Sequence, residues 1–384
     1  MANTLTNLIP TIYNAMDVVS RELVGFIPAV ARDARAEQAA LNATIRSPVV
    51  PAMAASTITA SNTSSSGTDV AYGSVSMVID NARKVFFHLT GEEELSLGPN
   101  GVPMAQDRFA QAFRTLANEI EADLAGLHVS ASRAYGTAGT TPFGTINVLS
   151  DFAESGKILD DNGAPMSDRH LVINTAAAAK IGGIQASLFR MNESGSDDLL
   201  RRGFIGDVEG FRVGKSAQII TSTAGTGSSA TTDDAGYAVG ATVITLASAG
   251  TGTIVAGDVI VITGDANKYV VASGDADVSD GGTITLAAPG LRQAIAGSAT
   301  AITVQAAAAR NMFFSRDALQ LAARLPALPG GGDAADDRAV VVDPVSGLPF
   351  EIAVYRQYRQ VSYEVGICWG VKAVKPEHCG ILLG

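Results

Sequence analysis

The four histidines of the chain are the side chains best suited to act as a base near neutral pH, and the sequence scatters them. His170 is the strongest catalytic candidate, because it stands close to Asp168 and a carboxylate can orient an imidazole for proton transfer. His88 follows two phenylalanines in a strand-like segment, and His128 stands at the end of a helical pattern. These contexts are typical of packed or capping histidines. For His170, the interpretation that we favour is a loop residue at the start of a strand.

Motifs of known catalytic chemistry do not occur in the sequence. It contains no G-x-S-x-G turn, H-E-x-x-H pair, phosphate-binding loop or Cys-x-x-Cys pair. We expect the protein not to be an enzyme. A hydrolase that joins His170 to distant Ser and Asp side chains is one alternative, but it needs a nucleophile turn that the sequence lacks.

One acidic turn has part of the spacing of a calcium loop. Asp275, Asp277 and Asp280 lie in GDADVSDGG, but positions six and twelve of such a loop, which require Gly and Glu, are Asp280 and Leu286. A solvated acidic turn is the favoured interpretation. We predict no metal site there.

The two cysteines, Cys368 and Cys379, are too few for a disulfide framework and are expected to be buried, reduced thiols. His378 beside Cys379 is the only hint of a zinc site, and two sequence neighbours seldom converge on one ion. We expect no metal and no cofactor.

Composition limits the classes of function that fit the chain. Its 384 residues suggest two or three units, and only 17% of them are charged, so the surface is poor in solvating groups and suits a subunit that hides area against copies of itself. The net charge of −11 argues against general attraction to nucleic acid or to an anionic membrane. The first residues show no signal-peptide pattern, and we expect a soluble protein made in the cytoplasm.

The elements that would position any site begin with a helical pattern in the first forty-odd residues, which Pro28 should kink. Its apolar residues are Val18, Val19, Leu23, Phe26, Ile27, Val30, Ala34 and Leu41. Residues 46–79 are rich in Ser, Thr and β-branched side chains, which predicts a long hairpin with a flexible tip at Ser61–Gly67. Such a hairpin needs another surface to lie on.

A long amphipathic helix is the strongest local signal, with Pro103 suited to its first turn and Gly136 to its end. The residues that step by three and four along one face are Phe109, Phe113, Leu116, Ile120, Leu124 and Leu127.

From 144 to 220 the pattern alternates strand and helix, with a strand at Leu171–Asn174, a helix at Thr175–Phe189 and paired strands at Gly203–Val208 and Gly210–Val213. Residues 221–309 then change to short alternating runs rich in Gly, Ala, Ser and Thr, which predicts an inserted β-barrel or sandwich.

After the insertion, the pattern predicts a second amphipathic helix. Its apolar residues are Leu319, Ala322, Ala323 and Leu325. Three strands follow, AVVVD, LPFEIAVYRQYRQ and SYEVGICWGVKAVKP, and the second and third are expected to pair. The aromatic residues expected to cover the long helix are Tyr355, Tyr358, Tyr363 and Trp369.

This order resembles the major capsid proteins of tailed phages, those with the Hong Kong phage capsid fold, and most of all the short-tailed-phage coat proteins with an inserted β-domain. Three stretches carry the resemblance: FSRDALQLAARLP (314–326), DPVSGLPFEIAVYRQYRQVSYEVGICWGVKAVKPEHCGILL, and GFIGDVEGFRV (203–213). The inserted segment is the weakest part of the match. The fold class implied is α+β.

The resemblance implies a division of the chain. Residues 1–45 would be an N-terminal arm, 46–90 an extended loop, 91–143 a peripheral domain with the spine helix at Met104–Ala134, and 144–220 the first part of an axial domain. Residues 221–309 would be the inserted β-domain, 310–330 the second part of the axial domain, and 331–384 the closing peripheral strands.

The implied function is self-association into pentamers and hexamers of an icosahedral shell in the virion. The implied partners are other copies of the chain, a scaffolding protein and a portal, with DNA enclosed but not bound by sequence and no membrane partner. Subunit-contact candidates are Arg46, Tyr72, Lys84, Arg201, Arg202, Phe204 and Phe211. Lys84 is the only lysine near the extended loop, so no covalent cross-link is expected.

A surface or secreted β-rich adhesin is the other alternative, suggested by the middle segment that is rich in Thr, Ala and Gly. That class predicts a signal peptide and β-structure throughout. The long helical pattern argues against it.

Overall fold

The computed structural model describes residues 24–50, 55, 57–58, 60, 73–97, 101–146, 148–185, 205–343 and 346–384. Four α-helices occur in these residues: α1 Gly91–Leu97, α2 Gly101–Gly126, α3 Ser150–Asp161 and α4 Thr175–Ile184. Short 3-10 turns cover Leu127–Ser130, Arg316–Ala318 and Pro376–His378. No helix in the described part of the chain is long and apolar enough to cross a membrane.

The strands of the same residues, in chain order, are β1 Ala31–Ala39, β2 Thr44–Val49, β3 Gly73–Val78, β4 Asn81–Thr90, β5 Arg133–Tyr135, β6 Arg169–Ile173, β7 Asp207–Val208, β8 Phe211–Lys215, β9 Ala230–Thr231, β10 Val243–Leu246, β11 Val259–Ile262, β12 Lys268–Ser273, β13 Gly282–Leu286, β14 Ala301–Val304, β15 Arg310–Ser315, β16 Leu319–Pro326, β17 Asp337–Val342, β18 Pro349–Gln357, β19 Gln360–Ala373 and β20 Cys379–Leu383.

A six-stranded sheet lies against the long helix α2. Its order is β1-β16-β19-β18-β17, and β4 pairs antiparallel with β19. The β1–β16 pair is parallel, whereas β16–β19, β18–β19 and β17–β18 are antiparallel. Because β19 has neighbours on both edges, it is the central strand of this sheet.

One face of α2 is buried against the six-stranded sheet. Five of the six residues that the spacing predicts for this face are each at most 1% exposed: Phe109, Phe113, Leu116, Ile120 and Leu124. The sixth, Leu127, lies in the 3-10 turn after α2 and is half-buried. The ring of Phe109 packs edge-on against Tyr363 at 5.4 Å, and that of Phe113 against Phe350 at 5.1 Å. The amphipathic pattern therefore gave the correct face of the helix.

The end of α2 differs from the prediction. The helix predicted over Met104–Ala134 stops at Gly126, and a 3-10 turn follows. Residues Arg133–Tyr135 form β5, which pairs parallel with β20 and antiparallel with β12. Strand pairing on both edges outweighs the local helical preference there.

The C-terminal strands are confirmed as β17, β18 and β19, the last two an antiparallel pair. Trp369 contacts α2, because its Nε1 donates a hydrogen bond of 2.7 Å to Asp123 Oδ2. Tyr358 does not cover the helix as predicted: it is 90% exposed at the turn between β18 and β19. The final strand β20 has no counterpart among the predicted elements.

The second large sheet has twelve strands. Its order is β7-β8-β6-β15-β20-β5-β12-β11-β14-β9, with β13 joining β12 to β10. The strand predicted at Leu171–Asn174 is confirmed as β6, and the glycine-linked pair as β7 and β8. The helix predicted over Thr175–Phe189 is confirmed as α4 as far as Ile184. Residues 186–204 lie outside the described part. Helix α3 was not predicted.

Residues 221–309 form strands β9 to β14 around a core of their own. Tyr269, at 0% exposure, lies in this core. The two ends of the segment meet, because Thr221 and Ala309 form an antiparallel bridge. Val259 and Val270, however, belong to the same core cluster as the buried face of α2. The segment is therefore joined to the rest of the subunit by sheet and by core.

The helical pattern predicted for the N-terminal arm is wrong over its described part. Residues 24–30 form a turn, and β1 follows. Hydrogen bonds to β16 pair one edge of the β1 backbone. Arg324 Nη2 also binds Asp33 Oδ2 at 2.8 Å. Tertiary pairing outweighs the local period here. Residues 1–23 lie outside the described part.

The helix predicted after Ala309 is also wrong, because Arg310–Ser315 and Leu319–Pro326 are strands. Each is a central strand with neighbours on both edges, and almost all of its residues are buried. An apolar run that is buried on both faces lacks the alternation of a half-exposed strand, so its pattern resembles that of a helix.

A buried carboxylate fixes the N-terminal turn to α2. Glu121 is 1% exposed. Its Oε1 accepts hydrogen bonds from the backbone N–H of Phe26 at 2.9 Å and Ile27 at 2.8 Å, and its Oε2 accepts one from Ser216 Oγ at 2.9 Å. Burial raises the pKa of Glu121, against the opposing effect of these hydrogen bonds. One side chain thus joins the turn, the long helix and the end of β8.

We expect Glu121→Ala to lower the free energy of unfolding by about 2–4 kcal/mol, because two buried amides lose their acceptor. Glu121→Gln keeps an acceptor oxygen and should cost less. The folded-state pKa lies above the usual 4.5, so the contribution of Glu121 is full below pH 4.5 and declines as the pH rises. The deficit of Glu121→Gln relative to wild type should therefore shrink toward neutral pH. Denaturant unfolding across that range is the measurement, and equal losses in both variants would contradict this account.

Candidate subunit interface

Strands β2 and β3 form the antiparallel hairpin that the sequence predicts. Their register runs from Thr44–Val78 to Val49–Gly73, and no third strand joins them within the described residues. Exposed and half-buried residues alternate along β2. A two-stranded hairpin is marginal in water by itself, so another surface must support this one. The predicted tip, Ser61–Gly67, lies outside the described residues.

The base of this hairpin is closed by its own backbone hydrogen bonds and lies against β19. The N–H of Asn42 donates to Ile79 O at 2.8 Å, and that of Ile79 donates to Ala43 O at 2.9 Å. Below it, Gly370 of β19 faces the carbonyl of Val78, and a Cβ at Gly370 would lie 2.1 Å from that oxygen. Only glycine allows this approach. The sequence gives no sign of it beyond a glycine after Trp369.

Two of the predicted contact residues, Arg46 on β2 and Lys84 on β4, are exposed, and they lie on different sheets. Phe211 is a wrong prediction, because its side chain is 1% exposed and its ring packs edge-on against Phe313 at 6.4 Å. It belongs to the core between α3, α4 and the sheet. The predicted residues that lie outside the described part are Tyr72, Arg201, Arg202 and Phe204.

The outer side of β4 carries charged side chains around an exposed ring. Lys84 Nζ pairs with Glu364 at 2.9 Å, and Arg83 Nε with Glu119 at 3.8 Å. Phe86 is 48% exposed, with Lys84 Nζ 5.9 Å from its ring centre. Exposed pairs of this kind stabilise a fold by at most about 1 kcal/mol each. Charges on an edge strand also discourage the addition of a further strand, so a contact here would use side chains.

His170 has the surroundings of a packed histidine. It is the second residue of β6, not a loop residue, and is 4% exposed. Its ring stacks on Phe314 with centres 6.1 Å apart. Burial lowers the pKa of His170, and the charges of Arg212 and Arg316 lower it further. The neutral ring is therefore favoured, and its environment is that of a core residue.

The other candidate sites are satisfied locally. Asp275 Oδ1 accepts the N–H of Asp277 at 2.9 Å, and Asp277 Oδ1 accepts the hydroxyl of Ser279 at 2.6 Å, as in an ordinary polar turn. Within the described residues, no three His, Cys, Asp or Glu side chains are grouped as a metal site. Cys368 and Cys379 are buried free thiols, and burial raises the pKa of Cys379 to about 12.

The inserted strands meet the remainder of the subunit at Arg133, whose side chain is 4% exposed. Its Nη1 donates to Asn267 Oδ1 at 2.8 Å, on the inserted side. Its Nη2 donates to Asp161 Oδ2 at 3.0 Å and to Ile158 O at 3.2 Å, both in α3. One guanidinium therefore connects α3, β5 and the loop before β12.

Comparison with known proteins gives one family. A family model described as "P22 coat protein - gene protein 5" matches residues 3–288. No curated protein matches the chain in sequence.

Three solved phage structures are similar to this chain. The capsid structure of the cyanophage P-SCSP1u shares 11% identity, with a TM-score of 0.50, over 92% of this chain and 86% of that chain. A structure from Mycobacterium phage Che8 shares 13% identity, with a TM-score of 0.46, over 89% and 84%. The mature capsid of bacteriophage PhiM1 shares 11%, with a TM-score of 0.47, over 93% and 86%. At such identities, the cyanophage match shows a common fold only.

We expect Gly370→Ala to lower the free energy of unfolding by about 1–3 kcal/mol, because the new methyl group would displace the base of the β2–β3 hairpin. The matched control is Gly182→Ala in α4, where a Cβ meets no atom within 4 Å. That change should be neutral or stabilising by up to about 1 kcal/mol. Thermal and denaturant unfolding compare the two, and similar effects of both substitutions would contradict the close approach.

Proposed function

Because this chain belongs to the P22 coat protein family, we propose that its copies associate into rings of five and six, and that these rings close into an icosahedral shell around phage DNA. The chain is a phage coat protein of the virion capsid. Its function is accordingly structural. We propose no enzymatic role and no covalent cross-link through Lys84.

The observation that supports this best is the β2–β3 hairpin, which has two strands and no third partner in the described chain. A hairpin of that kind gains stability by lying on a neighbouring subunit. Contacts between different surfaces of successive copies close into rings when their rotation allows it. Arg46, exposed on β2, would then face the neighbour.

The segments take roles in this proposal that follow the family. Residues 1–45 act as an arm whose described end is β1, 46–90 as the extended loop, and 91–143 and 331–384 as the peripheral domain around α2. Residues 144–220 and 310–330 act as the axial domain. One adjustment follows from strand pairing: β4, the last part of the loop, lies in the six-stranded sheet next to β19.

Partners other than copies of the chain are proposed from function and charge. With a net charge of −11, the subunit should enclose DNA without sequence-specific binding. A scaffolding protein and a portal are the further partners that a closed shell of this family would need. A β-rich adhesin finds no support in the described residues, where α2 is a 26-residue helix.

The inserted strands are proposed to stabilise the subunit and the contacts between rings. Val259 and Val270 fill part of the main core, and the register pairs Lys268–Ala134 and Tyr269–Arg133 join β12 to β5. A segment connected in this way contributes buried apolar area to the whole subunit.

The proposal is tested by sedimentation velocity and electron microscopy of the protein expressed alone and with its candidate scaffold. Closed shells, curved sheets or rings of five and six are expected. The sharper variant replaces residues 50–72 with Asn-Gly, which closes the hairpin at the Val49–Gly73 pair. It should fold normally and fail to form shells. A compact wild-type monomer under both conditions would overturn the proposal.

Deleting Thr221–Ala309 with a short linker should impair folding or assembly, because β5 loses a neighbour and the main core loses two valines. The matched control is Asn267→Ala, which removes the side-chain hydrogen bonds to Arg133 and Asp265 and should cost about 1–2 kcal/mol. Thermal unfolding and microscopy measure both variants. Normal shells from the deletion would reject the role proposed for this segment.

A further inference from the structure

The turn between β18 and β19 is strained and exposed. Gln357 and Gln360 form the last register pair, so the turn has only Tyr358 and Arg359 as its central residues. Arg359 has φ 58, a left-handed conformation that glycine or asparagine usually supplies at such a position. An arginine there costs about 1–2 kcal/mol. Residues in such conformations are often retained for function, so the turn requires an explanation that the fold does not give.

A hollow of about 670 Å³ lies beside this turn. Its walls are the turn itself, the end of β4 and the start of α1. The backbone holds these parts together, because the N–H of Gly91 donates to Arg359 O at 3.0 Å. Tyr358 is 90% exposed next to the hollow. The turn thus presents a large side chain and a cavity of a size that can receive one.

The hollow is lined by two arginines and one glutamate. Arg356 pairs with Asp336 at 3.6 Å, whereas Arg359 and Glu92 do not pair with each other. Within the described residues, the Arg359 guanidinium contacts only the Tyr358 ring, at 5.9 Å, and the Glu92 carboxylate has no ion pair. Its neighbour Glu93 is used locally, in a capping box with Thr90 that begins α1. Arg359 and Glu92 therefore remain available for a contact outside the subunit.

We propose that this turn is a contact between copies of the chain, in which Tyr358 of one copy enters the hollow of the next and Arg359 faces Glu92 there. The inference rests on the proposed self-assembly and assigns one of its surfaces. A patch that carries both signs, a projecting ring and a cavity fits a rotated copy of itself.

The chemistry of these residues suits the centre of a contact. Tyrosine and arginine are enriched among the residues that supply most of the binding energy at interfaces. Tyr358 loses little conformational freedom on docking, because it has two rotatable side-chain bonds. Leu95 is an exposed apolar side chain, at 85% exposure, and it lies on α1, the helix whose start lines the hollow.

Charge reversal tests the contact. Arg359→Glu and Glu92→Arg should each raise the protein concentration needed for shell assembly by about tenfold or more, and the double reversal should restore much of the loss. Light scattering and electron microscopy measure assembly, and circular dichroism checks folding. The matched control is Lys157→Glu, which reverses another exposed cation, on α3, and should assemble like wild type.

A second variant separates this role from a structural one. Arg359→Gly relieves the left-handed strain, so it should raise the thermal midpoint while it weakens assembly. A purely structural turn would assemble as well or better after this change.

The outcomes distinguish the two proposals. The contact would be overturned by single reversals that assemble like wild type, by no recovery in the double reversal, or by an equal loss in Lys157→Glu. In each of these cases, shells of the wild-type protein would leave the coat function standing. Failure of the wild type to assemble would overturn both.

Discussion

The burial of one face of α2 against the sheet around β19 is the interaction on which the remaining structure depends. Phe109 packs against a ring of β19, and Phe113 packs against a ring of β18. Asp123 accepts a hydrogen bond from the indole N–H of Trp369. The other buried group of the helix, Glu121, points to the N-terminal turn. A single helix contacts both the sheet and the arm. The apolar face of α2, together with Glu121 and Asp123, therefore positions these other elements. Loss of that packing would release both ends of the chain at once.

The same arrangement explains why the hairpin can extend from the subunit. Backbone hydrogen bonds between Asn42, Ala43 and Ile79 close its base, and the absence of a side chain at Gly370 lets that base pack closely against β19. Beyond that base, the two strands have no further sheet partner in the described chain. Low charge overall makes an uncovered surface of this kind easier to bury against another copy. The hairpin thus contacts its own subunit at Met77, which is 2% exposed, and through the hydrogen bond of 3.3 Å from Gln320 to Ser47, while its strand edges remain without a further partner in the described residues.

The sequence predicted the buried face of α2 and the strands β6, β18 and β19 correctly, and it mistook β1 and β16 for helices. The α2 face was correct because one side of that helix meets water, which leaves a period of 3.6. β16 was mistaken for a helix because its residues are buried on both sides, so no alternation remains. Phe211 was mistaken for a contact residue because an aromatic among glycines and charges resembles an exposed one, whereas α3, which was not predicted, covers it. The strain at Arg359 and the closeness of Gly370 to Val78 depend on backbone geometry that residue types do not encode.

The inserted segment shows how an added unit becomes part of a subunit instead of an appendage. Arg133, which is buried, and Asp161, which is partly exposed, form an ion pair at the junction, and Asn267 accepts another of the guanidinium hydrogens. A second guanidinium, that of Arg310, lies buried next to the junction and has no hydrogen-bond partner among the described residues; burial lowers its pKa, and the charge of Asp258 opposes that effect. Buried charges of this kind are costly, so they contribute little to stability by themselves, but they penalise any other placement of the two parts. Val259 and Val270 supply the apolar contact across this junction, and the buried arginines restrict its geometry. A subunit that must present the same surfaces in every copy of a shell needs both effects.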